Sequence, residues 1–232
     1  MVCHVMSYRN ILPVVTALTF LPCAAWSPKV HALQTRLAKG LVPKAMASFL
    51  DQHTGALAEA SGGIGAAKVP TPEDVEAQFH KVLEISEARR PAREIAHELG
   101  RLGNMVQLLT DPSATSGFTF TRLTFSDFAD EHIKKLVAVR EPMFAAKGDL
   151  NPMPAIQAWN RVKYERFRLL SNYVNHEKEA RSGAWDTLSV PFAQMQLGYS
   201  AGVNATASMW IYAWRAVGGF WTPQENAQTS ID

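Results

Sequence analysis

From Trp26 onward no stretch sustains the apolar–polar alternation of a half-buried strand, whereas three- and four-residue apolar spacing recurs throughout. Val30, Leu33, Leu37 and Leu41 mark a first helix, and Ala45, Phe49, His53 and Leu57 a second that Pro43 can open. The run from Gly62 to Gly65 interrupts the pattern, and Pro70-Thr71-Pro72-Glu73 restarts it with a proline and acidic residues suited to a helix N-terminus. Val75, Phe79, Val82 and Ile85 then share one stripe. Pro91 can open a further helix carrying Ile95, Leu99, Leu102, Val106 and Leu109, and Asp111-Pro112 closes it. Residues 113–124, rich in Ser, Thr and Gly, are expected to form a loop, with Phe118 and Phe120 offering a short extended stretch. Helices are predicted near 126–147, 154–178 and 188–217, the last dense in Met, Tyr and Trp and therefore buried on most sides. The pattern predicts an all-α fold, a single domain of about seven helices over residues 26–232, with no internal repeat.

The first 25 residues follow another logic. Arg9 precedes an apolar run over residues 11–21, and Cys23-Ala24-Ala25 supplies small residues where a signal peptidase cleaves. The run is shorter than the roughly 20 apolar residues a bilayer span needs. An N-terminal anchor is the competing reading. Export to the periplasm or the medium is the expectation, with a mature chain starting at Trp26 and no transmembrane segment in it. Both cysteines, Cys3 and Cys23, fall in the removed segment, so neither a disulfide framework nor a thiolate metal site is expected. Charge is close to balanced, with 23 Lys and Arg against 21 Asp and Glu, which argues against a strongly electrostatic nucleic-acid binder.

Cleavage before Trp26 would free its α-amine five residues ahead of His31. A neutral amine and an imidazole are both competent zinc donors, and an amine pKa of about 7.7–8.0 lets a metal compete for the lone pair. On spacing alone, a surface histidine is the alternative.

An N-terminal Trp followed five residues later by His resembles the zinc-dependent phospholipase C and single-strand-specific nuclease family. In that family the Trp backbone and the His ligate zinc. Three further stretches are similar to bacterial members: Phe49-Leu50-Asp51-Gln52-His53, Leu99-Gly100-Arg101-Leu102-Gly103-Asn104-Met105-Val106 leading to Asp111-Pro112, and Ser189-Val190-Pro191-Phe192-Ala193 with Tyr199-Ser200 and Trp210 to Trp214. The resemblance implies a phospholipase C-like helical fold. It also implies metal-dependent hydrolysis of phosphodiesters, a phospholipid head group or a nucleotide, in which metal-bound hydroxide attacks phosphorus.

The chain departs from that pattern where the metals would sit. Family members carry, on the helix that here ends near Leu109, a His, an Asp four residues on, and a second His ten residues after the first. Asn104, Leu108 and Ala114 occupy those places, and the Gly62–Gly65 run replaces an acidic residue. A trinuclear zinc centre cannot be assembled from them, so zinc is expected to be reduced or absent. Two readings follow: a phosphodiester hydrolase with a degenerate metal site, or a non-catalytic binding or structural domain of the envelope that has lost it.

Other residues do little to rescue a metal. His97 lies seven residues before Asn104, but Arg101 puts a cation between them on a possible cavity face. His80 and Glu84 form an i, i+4 pair that a solvated helix face explains equally well. His53 and Asp51 diverge, while His132 and His176 sit among mixed charges typical of exposed faces. No nucleophile elbow, phosphate-binding loop or His-Glu-Xaa-Xaa-His motif is present. The cluster of Trp210, Tyr212, Trp214 and Trp221 is expected to be packing rather than a sugar or lipid contact.

Overall fold

The computed structural model describes residues 26–63, 69–114, 119–141, 150–171 and 185–219. The expected signal segment, Ile64, Gly65, Phe118, His176 and Trp221 lie outside them.

Two helix starts show their local cause plainly. Ser27 caps α1 (Pro28–Lys39): its hydroxyl accepts from the Val30 N–H at 3.2 Å while Pro28 occupies the first turn. The same hydroxyl donates to Asp130, tying the cap to a distant helix. Thr71 opens α4 (Pro72–Glu87) with a full capping box. The Asp74 N–H donates to the Thr71 hydroxyl at 3.2 Å, and the Thr71 N–H to the Asp74 carboxylate at 2.9 Å. Between these lie α2 (Lys44–Gln52) and α3 (Thr54–Gly63). After α4 come α5 (Ala92–Thr110), α6 (Thr119–Glu131), a 3-10 turn over Ile133–Lys135, α7 (Met153–Ser171) and α8 (Val190–Ala216). The described residues form eight α-helices and no strand, the all-α class the spacing predicts with one helix more than the seven expected.

Helix α5 is the centre of the arrangement, in contact with α1, α3, α4, α7 and α8. Its closest approaches depend on glycine. A Cβ on Gly100 would lie 2.7 Å from the Leu57 carbonyl and 2.8 Å from the Ala60 Cβ of α3. A Cβ on Gly103 would press on Thr206 and Trp210 of α8, and the Trp210 indole N–H donates to the Leu99 carbonyl at 2.9 Å. Helix α8 is buried over nearly every residue from Gly198 to Ala213.

Three boundaries differ from the expected ones. The second predicted helix is two, broken at His53, whose φ of −118° ends α2. Residues 119–124, expected to be loop or extended, form the first turns of α6. The helix expected over 126–147 stops at Glu131; after the 3-10 turn, Leu136 is extended and residues 136–141 form a non-helical strap.

Physical causes for that last stop are visible. Val137 and Val139 favour extended backbone, and Pro142 restricts Glu141 to it. Helix α8 then captures the backbone. The Val137 N–H donates to Gln196 Oε1 at 3.0 Å, and Gln196 Nε2 donates back to the Val137 carbonyl. Ser200 Oγ accepts from the Val139 N–H and donates to its carbonyl, each at 2.9 Å. Asn204 accepts from the Glu141 N–H at 3.1 Å and donates to the Val139 carbonyl at 2.7 Å. Gln196, Ser200 and Asn204 thus follow one another at i, i+4 and i+8 along α8, gripping every second residue of the strap.

Gly100→Ala is expected to destabilise the protein by about 1–3 kcal/mol through overpacking. In a chain of this size that lowers the melting temperature by roughly 2–4 °C per kcal/mol. Gly55→Ala in α3, whose added methyl meets nothing within 4 Å, should instead stabilise by about 0.5–1 kcal/mol. Calorimetric melting of the pair checks this; equal melting temperatures would contradict the α3–α5 approach.

Candidate functional site

Trp26 and His31 sit at the start of α1, and both are buried. The Trp26 ring is completely enclosed, 5.5 Å from Phe125, and its edge packs beside Gly198 of α8. His31 is 5% exposed and faces α5, where its Nδ1 lies 2.6 Å from Gln107 Oε1. Gln107 Nε2 in turn donates to the Thr35 hydroxyl at 3.1 Å, one turn further along α1. That orientation makes Gln107 Oε1 an acceptor, so His31 carries its proton on Nδ1 and its Nε2 bears the lone pair. Burial pushes the His31 pKa below its ordinary 6.5, against the hydrogen bond to Gln107, which favours the charged form. The imidazole is therefore neutral near pH 7.

The three positions that the resemblance would align with metal ligands are all buried. Asn104 is buried on the inner side of α5, 1% exposed. Leu108 and Ala114 form a small apolar cluster with Val69. Leu108 also joins Arg101 in lining a cleft of about 400 Å³ between α4 and α5. None of His31, His97 and Asn104 lines that cleft.

Glu98 organises the charges beside the cleft. It is 7% exposed and accepts from Gln78 Nε2 at 2.7 Å. Lys81 lies 3.1 Å from it, Arg101 3.7 Å and the His97 Nδ1 3.6 Å. Burial pushes the Glu98 carboxyl up, but the Gln78 and Lys81 hydrogen bonds and the charges of Lys81 and Arg101 outweigh it, leaving its pKa below the ordinary value. His97 and Arg101 are thus arranged around a carboxylate.

The remaining described histidines do not converge. His80 and Glu84 are exposed on α4. Asp51 pairs with Lys39, while His53 packs near Phe49. The His132 Nδ1 lies 3.0 Å from the Phe128 carbonyl. Among the described residues no group of three or more His, Cys, Asp or Glu can hold a metal ion. His31 Nε2 is one donor, Asn104 is a weak one, and Leu108 and Ala114 offer none. The donor set does not fit a zinc centre of the expected kind.

Two buried polar arrangements went unread in the sequence. The His31–Gln107–Thr35 chain is one; the i, i+4 pair His31 and Thr35 on a helix with an apolar stripe was the available signal. Lys163 and Asp111 are the other. Asp111 is fully buried, with one oxygen accepting from the Ser113 N–H and hydroxyl at 2.8 Å each. Lys163 of α7 is 2% exposed; burial lowers its pKa to about 8, against the charge of Asp111. Nothing in the local sequence RVKYER distinguishes this lysine from an exposed one. The chain matches no protein-family model, no curated protein and no solved structure.

A pH titration of stability tests the His31 environment. The unfolded chain takes up a proton near pH 6.5 that the folded chain resists, so stability falls as pH drops below about 6.5. Urea midpoints measured from pH 8 to 5 should decline more steeply in the parent than in His31→Gln. Equal slopes would show that His31 is not shielded.

Proposed function

We propose that this chain is an exported, non-catalytic binding domain of the zinc-dependent phospholipase C and nuclease type, in which the metal centre has been replaced by core. The observation that carries the reading is the apolar packing at the positions the resemblance aligns with ligands, where Leu108 and Ala114 cluster with Val69. The one imidazole placed to ligate, His31, is buried with its Nδ1 on Gln107, and among the described residues it belongs to no group of three or more His, Cys, Asp or Glu able to hold a metal ion. Leu108 and Ala114 contribute methyl groups to an apolar cluster instead of ligand atoms. Folds of one architecture host sites of different chemistry, so losing a metal centre leaves the scaffold free for binding.

Metal analysis of the chain beginning at Trp26 provides the test. After incubation with zinc and removal of loosely held ion, well under one zinc per chain is expected, with no turnover of phosphatidylcholine or single-stranded DNA. Stoichiometric zinc that disappears in His31→Ala would overturn the proposal, as would turnover of either substrate.

A further inference from the structure

A groove of about 720 Å³ runs between α1 and the segment that follows α6. This lies within the roughly 300–1,000 Å³ typical of small-ligand sites. Its apolar surface comes from Ala32, Leu33 and Leu37 on one side and Ile133, Leu136 and Ala138 on the other. Lys29, Arg36 and Lys134 also line it, and no acidic residue does. Lys29 is partly engaged, 3.8 Å from Asp130. Arg36 and Lys134 have no ion-pair partner among the described residues.

A second feature of the groove is a polar group without a partner. Tyr199 of α8 lines it, is fully buried, and its hydroxyl makes no hydrogen bond among the described residues. A buried hydroxyl without a partner is costly, and a ligand oxygen accepting from it would relieve that cost. Arg36 is the cation whose field reaches this hydroxyl. Both residues line the groove, Tyr199 with a hydroxyl and Arg36 with a positive charge.

The wall opposite α1 is preformed. The strap over residues 136–141 is held to α8 by side-chain-to-backbone hydrogen bonds. Leu136 is buried in the core and Ala138 packs against it, while Val137 and Val139 remain 62% and 61% exposed, so the wall is held in place by its even residues and its backbone.

We propose that this groove binds a single-chain anionic amphiphile, its alkyl chain lying on the apolar walls and its head group held by Arg36 and the Tyr199 hydroxyl with Lys134 beside them. An uncharged alkyl ligand would leave the cations and the hydroxyl unsatisfied, a bare anion would leave the walls wet, and a cationic amphiphile would meet like charge. Carboxylate and phosphate heads share the chemistry the groove offers. The proposal rests on the reading of the chain as a binding domain, and the zinc measurement bears on that reading separately.

Isothermal titration calorimetry with monomeric dodecanoate and dodecyl phosphate, below their micelle concentrations, tests it. One-to-one binding of at least one is expected, and the tighter of the two identifies the head group. Dodecyltrimethylammonium and inorganic phosphate should bind at least tenfold more weakly. Arg36 is exposed, so Arg36→Glu is expected to fold normally and to lose tenfold or more in affinity. Lys44→Glu, an equal charge change at an exposed site outside the groove, should lose less than twofold. Equal binding of the cationic amphiphile, an unaffected Arg36→Glu, or equal losses in both variants would overturn the proposal. So would the absence of binding by either anionic probe in a chain that is also metal-free, an outcome that leaves the loss of zinc standing.

Discussion

Helix α5 can be surrounded on so many sides because two of its residues have no side chain at the points of closest approach. Gly100 admits the backbone of α3, and Gly103 admits the Trp210 ring and Thr206 of α8. The same device recurs on α8, where Gly198 lies against Pro112 and the Trp26 ring, and Gly202 against Gln34 and Thr110. With α8 drawn in so closely, the Gln34 amide of α1 reaches the Tyr199 carbonyl at 3.2 Å. That contact fixes α1 against α8, and His31 arrives opposite Gln107 as a result. A larger residue at any of these glycines would displace a helix that two others use as a reference surface.

The polar residues inside this framework are few and mutually dependent. Gln107 satisfies His31 and Thr35 together, Gln78 reaches the Glu98 carboxylate, and Ser113 holds Asp111. Each partner removed would leave a desolvated group behind, a larger cost than the net gain of the bond itself. These arrangements bind α1, α4 and the end of α5 into one register. Burial lowers the His31 pKa in this setting, and the Gln78 and Lys81 contacts outweigh burial to lower that of Glu98.

Much of the helical pattern was legible because it is local. The stripes of α1, α4 and α5 lie within three- and four-residue spacing, and Thr71 with Asp74 announces its own cap. The break at His53 and the early start of α6 are set by tertiary packing that outweighs propensity, so spacing missed them. The strap was illegible for a plainer reason: its partners Gln196, Ser200 and Asn204 lie about sixty residues away. In the candidate site, the side-chain types of Asn104, Leu108 and Ala114 could be read directly. The partner of His31 could not, since Gln107 meets it only when α1 and α5 are packed.

The strap also separates shape from composition. Four residues of helix rise about 6.0 Å, and two residues of extended chain about 6.6 Å. A ladder of polar side chains at every fourth position of α8 can therefore match the backbone of an extended segment two residues at a time. What it recognises is peptide groups. The side chains of Val137 and Val139 take no part in the docking, so their identities are nearly free to drift while the wall they belong to keeps its course. A surface built this way can acquire a new lining by substitution alone, without any change to the scaffold that carries it.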